Sequence, residues 1–302
     1  MMMNFFEQQR VSYMLPAGDR LFYGDKKLHR PQLTYREYND WPDSTTLKNV
    51  STIWFAPNVE QLQQYPGFPA FVKSAPQLKA LKIPLDFLPL AEDQVPESVI
   101  SLSILSFQNK ANQEDYEKFS WNDKQVLNNV VYFSFFDFDG IYELAGFTSR
   151  QLPNLSWLEC FIDEEGETIE RIKAFSKLET LYAQHLRTHD IFKALTQLPL
   201  RMIKLEGFDK GFPLQHITQL PQLEIIHING YEEELDCALF TQFPGLRELM
   251  FMNCRKLKNV ERLLEIKSLE SLHSISCNKA FGGAVKTRFA QAGLQQLNVD
   301  FS

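Results

Sequence analysis

One frame recurs along this chain and constrains the rest. Leu223, Ile226 and Ile228 read L-x-x-L-x-L, as do Leu246, Leu249 and Phe251. The same frame stands at Leu155/Leu158/Cys160, Leu178/Leu181/Ala183, Leu200/Ile203/Leu205, Leu269/Leu272/Ser274 and Leu294/Leu297/Val299. Looser copies stand at Val50/Ile53/Phe55, Leu78/Leu81/Ile83, Val99/Leu102/Ile104 and Val130/Phe133/Phe135. The later anchors lie at 155, 178, 200, 223, 246, 269 and 294, in steps of 23, 22, 23, 23, 23 and 25 residues. Upstream the steps are 28, 21, 31 and 25. A Pro two residues before the anchor is a second marker, as in Ala75-Pro76-Gln77-Leu78, Leu152-Pro153-Asn154-Leu155, Leu220-Pro221-Gln222-Leu223 and Phe243-Pro244-Gly245-Leu246. Alternation over L-x-L predicts a short strand with one buried face. The stretches that follow carry apolar residues at helical spacing, such as Ile169, Ile172, Ala174 and Phe175, or Val260, Leu263 and Leu264. One strand and one short helix cannot bury their own apolar faces, but stacked copies can.

This pattern resembles the leucine-rich repeat family, whose period is roughly 20–29 residues. The resemblance covers residues 47–302 and is sharpest after 150. It implies an α/β solenoid of about eleven strand–helix repeats, with one parallel sheet on the concave face. The family's turn-forming Asn or Cys, eight residues after each anchor, is degenerate here. That column reads Asn58, Asp86, Phe107, Phe138, Asp163, Leu186, Phe208, Tyr231, Cys254, Cys277 and Ser302. The turns are therefore expected to lean on Phe packing, and Phe is unusually frequent at 25 of 302 residues. Residues 1–46 fall outside the repeat. Leu21-Phe22-Tyr23 and Leu33 to Tyr38 alternate like strands, so this segment reads as a β-rich N-terminal cap. No cap follows the last strand, which makes an end-to-end homodimer through the C-terminal end an alternative.

The hydrophobic fraction of 44% and charged fraction of 23% are those of a folded chain. A net charge of −7 argues against nucleic acid as the main partner. No run of eighteen apolar residues suggests a membrane span, and the start lacks the basic-then-apolar pattern of a leader. Cys160, Cys237, Cys254 and Cys277 form no CxxC pair. Reduced thiols in a cytoplasmic protein are the expectation. Cys254 and Cys277 share a column in adjacent repeats and are assigned to the turns rather than to a disulfide.

Positions two, four and six after each anchor should face the concave side. On the early strands these are Thr52, Trp54, Ala80, Lys82, Ser101 and Ser103. The middle gives Tyr132, Phe136, Trp157, Glu159, Phe161 and Tyr182, then Met202, Lys204, Glu206, Ile225, His227, Met250 and Met252. The end gives Ser271, His273, Gln296 and Asn298. Aromatic and Met side chains on an exposed face mark contact sites. The expected binding residues are Tyr132, Phe136, Trp157, Glu159, Phe161, Tyr182, Met202, Glu206, Ile225, His227, Met250 and Met252, with Glu232, Glu233 and Glu234 on an adjoining rim. That rim also holds Asp137, Asp139, Asp163, Glu164, Glu165, Glu167, Asp209 and Asp236, which suits a basic protein partner. The insertion 109–126 is the segment that could fold over this face.

Catalytic patterns are absent from the sequence: no GxxxxGK[ST], no HExxH and no GxSxG. His227 and His273 share a column two strands apart, about 10 Å, too far for one metal ion. His185 and His189 have metal-like spacing but no third ligand. Ser134 lies four strands from His227, about 19 Å, too far for a nucleophile–base pair. The expectation is a protein-recognition scaffold without catalysis, cofactor or metal. It would suit an immunity protein that neutralises a basic toxin. A structural homodimer, an adaptor subunit, and a ligand or enzyme site built from 109–126 are the alternatives.

Overall fold

The computed structural model describes residues 5–91, 93–106, 125–135, 146–162, 167–187, 190–282 and 284–299. They fall into two compact units, residues 1–158 and 159–302. In the first, helix α1 (Phe5–Met14) precedes strands β1 (Asp19–Gly24), β2 (Thr34–Arg36), β3 (Val50–Ala56), β4 (Ala80–Pro84), β5 (Ser101–Leu105) and β6 (Tyr132–Phe135). These strands are parallel throughout, in the order β2-β1-β3-β4-β5-β6. Within the 1–46 segment, β1 and β2 add to the edge of β3. Helix α1 was not announced by the alternation of that segment.

Strand β7 (Trp157–Phe161) crosses the division. The second unit holds β8 (Thr180–Leu186), β9 (Met202–Phe208), β10 (Ile225–Asn229), β11 (Leu235–Asp236), β12 (Glu248–Met252), β13 (Leu257–Lys258), β14 (Ser271–Ile275) and β15 (Gln296–Val299). Its main sheet is parallel, in the order β8-β9-β10-β12-β14-β15. Strands β11 and β13 pair as a separate two-stranded sheet. Each frame of the sequence repeat is thus one strand of a parallel sheet. The chain is an α/β repeat fold.

The register explains the frame. Leu181, Ile203, Ile226, Leu249, Leu272 and Leu297 lie side by side on successive strands. The first five are fully buried. Parallel pairing in register stacks like positions on like, so each leucine packs on its equivalents one repeat away. Between strands the expected helices occur at Glu167–Lys173, Asp190–Leu195 and Ala284–Ala290. At Leu214–Gln219, Cys237–Gln242 and Val260–Glu265 the chain is instead a 3-10 helix. Six residues span about 12 Å as a 3-10 helix against about 9 Å as an α-helix. The tighter helix lets a repeat of some 23 residues return across the layer with a shorter segment.

One column builds the turns that follow β8, β9, β10, β12 and β14. Seven residues after their anchors, His185, Gly207, Gly230, Asn253 and Ser276 all have φ between +55° and +76°. This left-handed step swings the next residue inward. Leu186, Tyr231, Cys254 and Cys277 are buried as a result. The ring of Phe208 packs against Phe212 at 5.4 Å and Tyr231 at 5.1 Å. The Tyr231 hydroxyl donates to the Phe212 carbonyl at 2.8 Å. In the next repeat Cys254 N–H donates to Cys277 Sγ at 3.4 Å. All four cysteines are buried, and none is in a disulfide.

Candidate functional site

On the concave side of the second unit the side chains form three rows. The row two residues after each anchor is Thr180, Met202, Ile225, Glu248, Ser271 and Gln296. All but Gln296 are buried. In the middle row Tyr182, His227, Met250 and His273 are buried, while Lys204 is half-buried and Asn298 exposed. The last row is Gln184, Glu206, Asn229, Met252 and Ile275, and every member is half-buried. Phe161 and Met252 are also half-buried, and the edge of the Phe161 ring meets His185 at 4.6 Å.

This corrects the expectation of a broad exposed aromatic face. Tyr132, Trp157, Glu159, Tyr182, Met202, Ile225, His227 and Met250 are all buried, at 8% exposure or less. Parallel strands stand about 4.8 Å apart, so side chains of successive repeats close over one another. Among the described residues of the second unit, the row at the C-terminal margin of the strands is half-buried throughout, and Lys204, Gln296 and Asn298 are also reached by solvent. Phe161, Glu206 and Met252 lie on that margin. Phe136, Asp137, Asp139, Asp163, Glu164 and Glu165 lie outside the described residues, as does the insertion apart from Gln125 and Val126.

The buried rows carry polar groups in specific pairs. Tyr182 donates to Glu206, which also accepts from Gln184 Nε2 at 3.4 Å. The Lys204 ammonium stands 4.0 Å from the Tyr182 ring centroid. Burial, followed by the Glu206 carboxylate, pushes the Tyr182 phenol above its ordinary range. His227 Nε2 donates to Glu248 Oε1 at 2.8 Å. One strand further along that row, past Met250, stands His273. Its Nε2 has no partner among the described residues. Burial lowers the His273 pKa, the neighbouring His227 lowers it further, and Glu248 opposes them. Among the described residues no cluster of His, Cys, Asp and Glu could hold a metal ion. No described helix is long and apolar enough to cross a membrane.

Beyond the open margin, the rim is mixed in charge. Glu232 is exposed, Glu233 half-buried, and Glu234 forms an ion pair with Lys258. Glu232 and Glu233 line a recess with Phe208, Asp209, Lys210, Tyr231 and Lys256. The interleaved lysines come from positions that the acidic pattern did not consider.

A second feature runs along the opposite end of the strands. One residue after successive anchors stand Glu179, Arg201, Glu224, Arg247 and Glu270. Arg201 Nε and Nη2 donate to the two Glu224 oxygens, both at 2.8 Å. Arg247 donates to both Glu270 oxygens, at 2.9 and 3.0 Å. These forks hold the Glu224 and Glu270 carboxyls below their usual range. The pattern was legible as charges of alternating sign at the repeat spacing.

No protein-family model matches the chain, and no curated protein matches it. Among solved structures it is similar to an internalin (inlF) from Listeria monocytogenes, at 12% identity and a TM-score of 0.45, over 90% of this chain and 81% of that one. It is also similar to an internalin C2 (inlC2) from the same species, at 12% identity and a TM-score of 0.37, over 67% of this chain and 74% of that one.

Proposed function

We propose that this chain is a non-catalytic scaffold that recognises another protein along the open margin of its second unit. The supporting observation is the burial gradient across the concave rows. The first two rows are buried apart from Lys204, Gln296 and Asn298, while Phe161, Glu206 and Met252 are half-buried beside Glu232 and Glu233. An aromatic ring and a thioether beside carboxylates can anchor apolar side chains and accept hydrogen bonds from basic ones. With a net charge of −7, a partner with a basic patch fits this surface. A basic toxin neutralised at this face would have that chemistry.

The test is capture from a lysate of source cells by wild type and by a Phe161→Ala/Met252→Ala double variant, each at low and high salt. The proposal expects a partner held by wild type at low salt, lost in the double variant and weakened by salt. Capture that ignores both changes would remove this margin from the account.

A further inference from the structure

The turn column of the second unit sets two cysteines against each other. It runs Leu186, Phe208, Tyr231, Cys254 and Cys277, so one pair of adjacent repeats carries sulfur at both positions. The register of β12 and β14 continues into their turns. Met252 pairs with Ile275, and the Asn253 N–H donates to the Ile275 carbonyl at 2.9 Å. Asn253 and Ser276 then take the same left-handed step, at φ +55° and +57°. Cys254 and Cys277 therefore leave the two strands in the same direction, about one strand spacing of 4.8 Å apart. A disulfide spans Cα separations of roughly 4.4–6.8 Å.

The sulfur atoms are placed to meet. The Cys254 N–H donates to Cys277 Sγ at 3.4 Å, so the Cys277 sulfur lies against the Cys254 backbone. Cys254 Sγ stands 3.3 Å from the Met252 carbonyl, and Cys277 Sγ stands 3.2 Å from the equivalent Ile275 carbonyl. A hydrogen bond from the Cys254 thiol, opposed by burial and aided by the Cys254 N–H, holds the Cys277 thiol below its ordinary range. The same contact, followed by burial, pushes the Cys254 thiol up. A thiolate is the attacking form, so Cys277 is the nucleophile of the pair and Cys254 the thiol beside it. The other two cysteines differ. Cys160 and Cys237 reach no solvent, whereas Cys254 and Cys277 are 1% and 2% exposed, each next to an exposed turn residue. Burial pushes the Cys237 thiol up.

We infer that Cys254 and Cys277 are a peroxide-responsive dithiol that closes to a reversible disulfide within the folded chain. The oxidant is hydrogen peroxide. The Cys277 thiolate attacks one peroxide oxygen: an S–O bond forms, the O–O bond breaks, and hydroxide leaves and is protonated to water. Cys254 then gives up its proton and attacks the sulfenic sulfur. The S–S bond forms, the S–O bond breaks, and hydroxide leaves with that proton as water. Two thiols and one peroxide become one disulfide and two waters. The bond ties the turn after β12 to the turn after β14 and restricts the unfolded chain between them. No side chain of the Phe161–Met252 margin takes part, so this inference and the proposed function fail separately.

The test exposes the folded full chain to hydrogen peroxide, removes the excess with catalase, alkylates the remaining thiols in urea and digests with trypsin. The expected product is a dithiothreitol-sensitive link between the peptides 248–255 and 268–279, with Cys160 and Cys237 recovered as alkylated thiols. The intact mass should fall by about 2 Da, the two thiol hydrogens. The oxidised chain should unfold at a higher urea midpoint than the reduced one. Cys254→Ser should leave Cys277 as a sulfenic acid trapped by dimedone, and Cys277→Ser should leave Cys254 unoxidised. Circular dichroism matching wild type establishes that both variants fold. Four free thiols after peroxide treatment would overturn the inference. So would a link to Cys237, a link between chains, or a link that forms only in urea. These readings use wild type alone, so they decide the matter even where a variant does not fold.

Discussion

The left-handed column after each strand of the second unit makes a prediction whose sign depends on the residue already there. Gly230 has φ +76°, and a Cβ added to it would meet nothing within 4 Å. Gly230→Ala therefore isolates the backbone cost. An L-residue in this region costs about 1–2 kcal/mol. Restricting the unfolded chain returns about 0.4–1 kcal/mol. The net loss is about 0.5–1 kcal/mol. Gly207 has φ +73°, but its added Cβ would stand 3.1 Å from the His185 backbone nitrogen. Gly207→Ala should thus cost more, about 1–2 kcal/mol by adding crowding against backbone to the same conformational cost. Ser276, at φ +57°, already carries that strain. Ser276→Gly should stabilise by about 0.5 kcal/mol, the same terms with reversed sign. The assay is urea unfolding followed by circular dichroism. At a slope of about 3 kcal/mol per M, 1 kcal/mol moves the midpoint by about 0.3 M. A neutral or stabilising Gly230→Ala, or a Ser276→Gly as damaging as Gly207→Ala, would refute the reasoning.

Two further outcomes follow from packing and burial. Leu249→Ala, at a fully buried position between Ile226 and Leu272, should cost about 2–5 kcal/mol in the same urea experiment. His273 has a pKa lowered from 6.5, so the folded state binds fewer protons than the unfolded state as pH falls below that value. Its contribution to stability should fall as pH drops through that window, by at most about 1.4 kcal/mol per pH unit. His273→Gln, measured by urea unfolding between pH 7 and 5, should flatten the profile while leaving Glu248 and His227 in place; an unchanged slope would reject this.

The strands were legible because a parallel stack forces like positions together, so Leu181, Ile203, Ile226, Leu249 and Leu272 had to share chemistry at a fixed spacing. The Cys254 and Cys277 turns were legible for the same reason. The exposure of the concave face was not. Whether Met202 or Ile225 meets water depends on how closely neighbouring strands bring their side chains, and no single repeat encodes that. Nor could alternation reveal that Tyr132 and Trp157 are met by Tyr13, a contact more than a hundred residues away in the chain. The small residues Ala80, Ser101 and Ser103 were visible as a stripe, but a stripe does not say what lies on it. Charges one position after each anchor were open to inspection, yet they fall outside the hydrophobic frame that organises the reading.

That row of charges gives the array a parity. Solenoids lengthen and shorten by whole repeats, and the hydrophobic frame is indifferent to how many are gained or lost. The sequence Glu179, Arg201, Glu224, Arg247, Glu270 is not. Removing one repeat from its middle, residues 224 to 246, would set Arg201 beside Arg247, leaving Arg201 without its Glu224 partner and next to the Arg247–Glu270 fork. Removing two consecutive repeats, residues 201 to 246, would set Glu179 beside Arg247 and restore the alternation. Duplication or recombination in this stretch is therefore electrostatically tolerated in pairs and opposed in single copies.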